Sequence, residues 1–304
     1  MLGEVLSSEM ENAGFKMKIF EAGHLDEIRN DFEDLVNNGF LDKDFYRNSL
    51  SHFKYEYKNV MENAKYVILV AAPQYKSIVK FKTESGEIPA VIPPTYNYPS
   101  IDKRITDILS TFHAKNNCRL ARISLPMKLL AVRSGLGQYG RNNICYIPGS
   151  GSFNRLLAFI TDCCLGEDSW GGISTMKSCE ACSACVDSCP TGAVGTGQFL
   201  INALKCITNY NEELDPIPGW MDPGCHNAIV GCMKCQSACP HNAGLIDMTD
   251  EEIFFDTLET HLILDGAEFG SLPAETRSKI SSIGMEPYYS LLPRNINLLK
   301  PITG

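Results

Sequence analysis

Cys179, Cys182, Cys185 and Cys189, followed at once by Pro190, form a C-x2-C-x2-C-x3-C-P run, and Cys232, Cys235 and Cys239 precede Pro240 as C-x2-C-x3-C-P. No other feature restricts the fold as strongly. Short gaps wrap one loop around a compact inorganic core, and the proline turns the chain away after the last thiolate. Two such runs are the spacing of a protein that carries two 4Fe–4S clusters, the fourth Cys of each run crossing to the other cluster. Electrons are therefore expected to pass through this protein.

Two such clusters need eight thiolates, and the runs supply seven. The symmetric place for the eighth is occupied by Ile229. One cluster is assigned to Cys179, Cys182, Cys185 and Cys239, and the other to Cys189, Cys232, Cys235 and either Cys206 or Cys225. Cys206 lies in Leu204–Tyr210, which reads as a helix between the runs, whereas Cys225 lies in the turn Asp222-Pro223-Gly224-Cys225-His226. Zinc also favours CxxC pairs, but a structural zinc site takes four ligands, and this region holds nine Cys with a Pro closing each run. A disulfide framework fits less well, because the Cys are concentrated in one segment of a long chain. Cys118, Cys145, Cys163 and Cys164 fall in apolar stretches and read as buried structural thiols.

The 304 residues accommodate a core domain and a smaller cluster domain. The expected fold class is α+β or α/β: an N-terminal mixed α/β domain over residues 1–168, a ferredoxin-like two-cluster domain over 169–247, and a short helical tail over 248–304. Within the first domain, helices are expected at 2–14, 23–38, 101–115 and 126–134, and strands at 64–72, on both sides of Ser85-Gly86-Glu87, at 118–125 and at 155–164. A net charge of −9 disfavours broad, non-specific nucleic-acid binding. No apolar run has the length of a membrane span. The first residues, Met1 to Glu9, lack the basic and apolar regions of a signal peptide, so a reducing cytoplasm is the expected compartment.

Gly135-Leu136-Gly137-Gln138-Tyr139-Gly140 matches G-x-G-x-x-G. A dinucleotide site needs a strand before that loop and a helix after it, so that phosphate meets a helix N-terminus. Here the order is reversed: Met127–Ser134 reads as helix and Ile144–Ile147 as strand. From Leu109 to Thr161 there is no Asp or Glu, while Lys115, Arg119, Arg122, Lys128, Arg133, Arg141 and Arg155 all occur there. That pattern is expected either at a site for an anionic or carbonyl-rich ligand, or in a core-forming segment whose bases pair with acids elsewhere.

The segment Leu130–Asn143, then Gly151-Ser152-Phe153, then the two cysteine runs, resembles the epoxyqueuosine reductase family, cobalamin-dependent enzymes with two iron–sulfur clusters that are related to the reductive dehalogenases. The similarity covers roughly residues 60–245. Lys205-Cys206-Ile207 resembles an Arg-Cys-Ile segment of the family, which implies that Cys206 is the eighth ligand. The resemblance implies an N-terminal α/β domain that, with the ferredoxin-like domain, holds a corrinoid to which the clusters pass electrons. It places Gly135, Gly137, Gly140, Arg141 and the backbone around Cys145 and Leu156 in the corrinoid-facing region. The implied partners are an electron-donor protein of ferredoxin or flavodoxin type and a small-molecule or modified-nucleoside substrate.

Three differences from the family pattern stand in the sequence. The family carries its catalytic acid in a Val-Asp-Ser-Ala-Pro-like segment, where this chain reads Leu120-Ala121-Arg122-Ile123-Ser124. The helical repeat region at the C-terminal end is cut down to roughly fifty residues. The acidic balance suits tRNA poorly, which makes tRNA a doubtful partner. Reductive chemistry still requires a proton donor, and Tyr139 is the first candidate, with Tyr146, Tyr98 and His113 behind it. Arg133 or Arg141 beside Tyr139 is expected to stabilise its phenolate. His226 and His241 follow cluster cysteines and are read as surface residues or as partners that tune a cluster.

Overall fold

The computed structural model describes residues 1–299 except 51, 52, 54, 97, 198 and 199. In chain order the main elements are α1 (Leu2–Asn12), β1 (Lys16–Glu21), α2 (Leu25–Asn37), the one-turn α3 (Lys43–Phe45), β2 (Tyr66–Pro73), β3 (Lys76–Thr83), β4 (Gly86–Ile92), α4 (Pro99–Lys115), β5 (Leu120–Ile123), α5 (Met127–Arg133), β6 (Gln138–Tyr139), β7 (Cys145–Tyr146) and β8 (Asn154–Thr161). The second half adds α6 (Ala184–Asp187), α7 (Ile207–Asn211), α8 (Lys234–Ser237), β9 (Thr249–Phe255), α9 (Thr257–Leu264), α10 (Ala274–Ser282) and α11 (Leu292–Leu298). They fall into two compact units, one of residues 1–73, 101–182 and 197–200, the other of 74–100, 183–196 and 201–304.

In the first unit a four-stranded sheet runs β1-β2-β8-β5, with every neighbouring pair antiparallel. β2 is apolar on both faces, so its alternate residues enter different cores. Val67, Leu69 and Ala71 pack with Phe20, Leu25, Ile28, Leu129 and Ile160 on the side of α2 and α5. Ile68, Val70 and Ala72 pack with Leu6, Met10, Ile105, Leu109 and Phe159 on the side of α1 and α4. β6 and β7 form a small separate ladder after α5.

The second unit is built on the sheet β4-β3-β9, in which β3 and β4 form an antiparallel hairpin and β9 adds in parallel to β3. Its core joins Val79, Phe81 and Ile92 to Phe255, Ile263, Ile280 and Ile296. The tail expected to be helical therefore opens with a strand, and the β3–β4 hairpin, expected in the N-terminal domain, belongs to the unit that holds the tail. Long-range strand pairing produces this division, and it carries no local signal. Residues 300–304 of the expected tail lie outside the described residues. No helix is long and apolar enough to cross a membrane, among the described residues.

Candidate metal centre

The loop that carries the later cysteine run is fixed to the second unit by apolar burial and by three asparagine amides. Asp222 accepts from the Gly224 N–H at 2.8 Å and opens the short turn Pro223–Cys225, as the Asp-Pro-Gly sequence dictates. The chain then inserts Ile229 and Val230 into the core. The Ile229 N–H donates to the carbonyl of Val91 at 2.9 Å, and the Ile229 carbonyl accepts from Asn295 Nδ2 at 2.7 Å. Asn211 Nδ2 donates to the carbonyl of Gly231 at 3.0 Å. Gly231 has φ +65°, and a Cβ there would lie 2.7 Å from Tyr96 Oη, so the residue before Cys232 must be glycine. Ile229 stands where a symmetric ferredoxin would place a thiolate, and it is 1% exposed. Its burial is an anchoring role that a cluster-bound Cys could not fill.

Asn227 lies within this loop. Its Nδ2 donates to Cys232 Sγ and to the Cys225 carbonyl, each at 3.1 Å, and its Oδ1 accepts from the Met233 N–H at 2.7 Å. Cys235 sits on α8, which packs against α6, the carrier of Cys185, and Ser188 Oγ donates to the Lys234 carbonyl at 3.4 Å. Cys206 is not in a helix. It has φ −74° and ψ 131°, an extended residue between the turn Ala203–Lys205 and α7, so the helix expected over Leu204–Tyr210 is broken at the thiol. As the residue that caps α7, Cys206 keeps its sulfur at the first turn, where Thr208 hydrogen-bonds to it.

Electrostatic neighbours group these thiols. Burial pushes the Cys206 thiol up, opposed by hydrogen bonds from Thr208 and reinforced by Cys232 and Cys189. Burial also raises Cys232, against the Asn227 and Lys234 hydrogen bonds, with Cys189 again a like-charge neighbour. At Cys189 burial acts upward but is outweighed by hydrogen bonds at Val194, Thr191 and Ala193, which hold the thiol below its ordinary value. Cys225 is raised by burial and Asp222, and its other neighbours are Lys234 and Cys189. Cys206 thus has Cys189 and Cys232 as electrostatic neighbours, and Cys225 has Cys189. Among the described residues no three His, Cys, Asp or Glu side chains close on a single metal ion. A 4Fe–4S cluster does not need that closure, because each of its four thiolates binds a different iron. All-thiolate donors with an N–H bond to one sulfur suit such a cluster.

In the first unit, Cys179 ends the turn Lys177–Cys179, and its carbonyl accepts from Arg141 Nη2. The Cys182 N–H donates back to the Cys179 carbonyl at 3.3 Å. His226 is buried, contrary to a surface placement, and burial together with nearby Arg294 lowers its pKa. His241 is exposed.

The glycine loop has packing reasons for its glycines. Gly135 follows α5 with φ +69°, the left-handed residue that ends a helix. A Cβ on Gly137 would lie 2.6 Å from Cys145 Sγ and 2.7 Å from the Tyr146 carbonyl, and one on Gly140 would lie 2.5 Å from the Tyr146 ring. Helix before and strand after are as expected, the reverse of a phosphate-binding loop. Cys145 is buried, with its thiol pushed up to about 12 by burial, and Leu156 on β8 packs partly buried against the same core.

Tyr139 is also part of that core, 6% exposed, and burial holds its phenol well above the ordinary range. Cys145 and Asp31 beside it act in the same direction, against a phenolate. Tyr146 is buried and accepts from Asn142 Nδ2 at 3.0 Å. His113 is buried, bonded through Nδ1 to the Leu109 carbonyl at 2.7 Å, and burial lowers its pKa. Tyr98 belongs to the second unit.

The bases of the acid-free stretch are largely committed to internal ion pairs. Arg119 meets Asp162 at 2.7 Å, Arg133 meets Glu27 at 2.7 Å and Asp31 at 3.1 Å, and Arg122 and Arg155 converge on Asp102 at 2.7 and 2.9 Å. Of the two readings of that stretch, pairing with acids elsewhere is the one observed. Asp102 on α4 is the carboxylate that reaches the Leu120–Ser124 segment, and two guanidiniums hold it. Sequence spacing could not reveal it, nor the roles of Asn211, Asn227 and Asn295, since a lone Asn has no pattern.

Comparison with known proteins bears on the segment that holds the cysteine runs. Residues 178–242 match a family described as a 4Fe-4S double cluster binding domain. An epoxyqueuosine reductase from Cyclobacterium marinum is 34% identical over 151 residues, 49% of this chain and 46% of that protein. The chain spans 28% to 55% of the length of the curated relatives it matches. The solved epoxyqueuosine reductase of Streptococcus thermophilus superposes with a TM-score of 0.66 at 18% identity, covering 97% of this chain and 80% of that one. An epoxyqueuosine reductase solved with an epoxyqueuosine-modified tRNA-Tyr stem loop gives 0.68 at 18% identity, covering 98% and 80%. The chain thus has the fold of these reductases, is similar to them in sequence over part of its length, and contains a double 4Fe–4S domain.

Proposed function

We propose that this protein is an iron–sulfur oxidoreductase of the epoxyqueuosine reductase type. The observation that carries the reading is a double-cluster segment set within a fold similar to those reductases over nearly the whole chain. The proposed ligands are Cys189, Cys206, Cys232 and Cys235 for one cluster and, by the spacing of the runs, Cys179, Cys182, Cys185 and Cys239 for the other. When bound, the clusters supply one-electron transfer, and a corrinoid would supply the metal at which the substrate is reduced.

The corrinoid reading rests on resemblance at Gly135, Gly137, Gly140, Arg141, Cys145 and Leu156. Gly137, Gly140 and the Cys145 side chain are used internally, and Arg141 donates to the Cys179 carbonyl. Leu120–Ser124 carries no carboxylate and nearby Asp102 is held by Arg122 and Arg155, so another group is the proposed proton source, and the core position of Tyr139 argues against that side chain. The substrate class proposed is a modified nucleoside or another reducible small molecule, with electrons from a ferredoxin- or flavodoxin-type donor in a reducing cytoplasm. The solved relative with a modified tRNA stem loop favours a nucleoside; the net charge of −9 weighs against tRNA as its carrier.

Anaerobic titration of the cluster-loaded protein with cob(II)alamin tests the reading. A spectral change to a base-off species supports it. No change at saturating cofactor points to a two-cluster electron carrier that binds a partner protein and no corrinoid. A gel-shift assay with an epoxyqueuosine-modified stem loop separates a nucleoside carried on tRNA from a free small molecule.

A further inference from the structure

We infer that Asn227 is a positioning residue that sets the reduction potential of the cluster held by the later cysteine run. The inference rests on the proposed assignment of Cys232 as a cluster ligand, and Cys232 Sγ stands for the thiolate that would bind iron. Asn227 Nδ2 lies 3.1 Å from that sulfur. The second Nδ2 contact, to the Cys225 carbonyl at 3.1 Å, and the Met233 N–H bond to Oδ1 at 2.7 Å hold the amide in plane and in place. The oxygen is committed to a backbone donor, so the amide orientation that aims N–H at sulfur is the one the loop selects.

An N–H donor to a cluster thiolate stabilises the extra negative charge of the reduced state more than it stabilises the oxidised state. Hydrogen bonds to sulfur are one of the levers by which a protein sets such potentials. Asn227 is partly buried, so water substitutes poorly for the lost donor when the amide is removed. Asn211 and Asn295 brace the same loop, but through backbone carbonyls: Asn211 on Gly231 and Asn295 on Ile229. They provide a control that disturbs the loop through its backbone carbonyls.

The test is an EPR-monitored redox titration of the anaerobically reconstituted full chain, with iron and sulfide counted in each sample. Asn227→Ala is expected to keep both clusters and to shift one of the two signals to a more negative midpoint, the other staying in place. Asn211→Ala is expected to leave both midpoints unchanged. Two intact clusters with unmoved midpoints in the Asn227→Ala protein, or an equal shift in the Asn211→Ala protein, would overturn the inference. If the Ala variant fails to hold its cluster, pulsed EPR of the wild-type protein labelled with 15N in asparagine side chains decides. A side-chain 15N coupling to one reduced cluster supports the bond, and its absence refutes it. A wild-type protein that binds no 4Fe–4S cluster removes the ligand assignment itself, an outcome distinct from unmoved midpoints.

Discussion

Two loops that both look like ligand motifs in the sequence have different physical bases. The loop at 135–140 has the spacing of a nucleotide fingerprint, yet its glycines are set by a helix end at Gly135 and by close packing of Gly137 and Gly140 on β7. The loop at 225–239 has an incomplete spacing, yet its thiols share neighbours and its backbone is fixed by buried Ile229 and Asn amides. A glycine pattern records only a backbone constraint, which packing and ligand binding can both impose. A cysteine run names the donor atoms themselves, so its spacing is far more specific.

The strongest challenge to this contrast is removal of the eighth thiol. Cys206→Ala should lower iron from about eight to about four per chain, whereas Cys225→Ser should leave about eight. Iron and sulfide analysis reads both, and the opposite pattern would move the ligand to Cys225. Next, Gly137→Ala should destabilise the protein by about 1–3 kcal/mol, because the added methyl meets Cys145 Sγ and a backbone carbonyl. Thermal denaturation checks it. Unchanged stability with altered corrinoid binding would restore the loop as a ligand motif.

A smaller effect is expected at the brace of the cluster loop. Asn295→Ala leaves the Ile229 and Asn211 carbonyls without their amide donor and should cost about 1–2 kcal/mol, measured by denaturant unfolding of the loaded protein. The smallest is at His24, where burial acts downward on the pKa but hydrogen bonds to Glu27 and Asp168 outweigh it and raise it above its ordinary 6.5. Protonated His24 therefore adds stability that is fully present below pH 6.5 and fades as pH rises through the raised folded value. His24→Gln should lower the melting temperature at pH 5.5 by the equivalent of about 0.5 kcal/mol, after allowance for solvent screening, and by nothing at pH 9. Equal losses at both pH values would assign His24 to packing on Trp170, whose ring stacks 4.9 Å away.

The sequence was most legible where periodicity and burial coincide. The apolar β2, the hairpin at Ser85-Gly86 and the helices α1, α2 and α4 all lie within a few residues of their expected positions. β1 has a weak sequence signal because Lys16–Glu21 is a short alternating stretch between two helices. β9 was hidden by its acidic start, Thr249-Asp250-Glu251-Glu252, whose last residue pairs with Lys80 on β3. At the candidate site seven thiols could be read from spacing, while Cys206 is extended where a helix was expected. The internal ion pairs of Arg122 and Arg155 with Asp102 join residues far apart in the chain, which no local pattern records.

The central claim, two 4Fe–4S clusters on eight cysteine sulfurs, is tested most directly by Mössbauer spectroscopy with iron and sulfide quantification on 57Fe-labelled, anaerobically purified protein. The account predicts about eight irons per chain, all in 4Fe–4S form. Zinc in place of iron, or about four irons per chain, would contradict it.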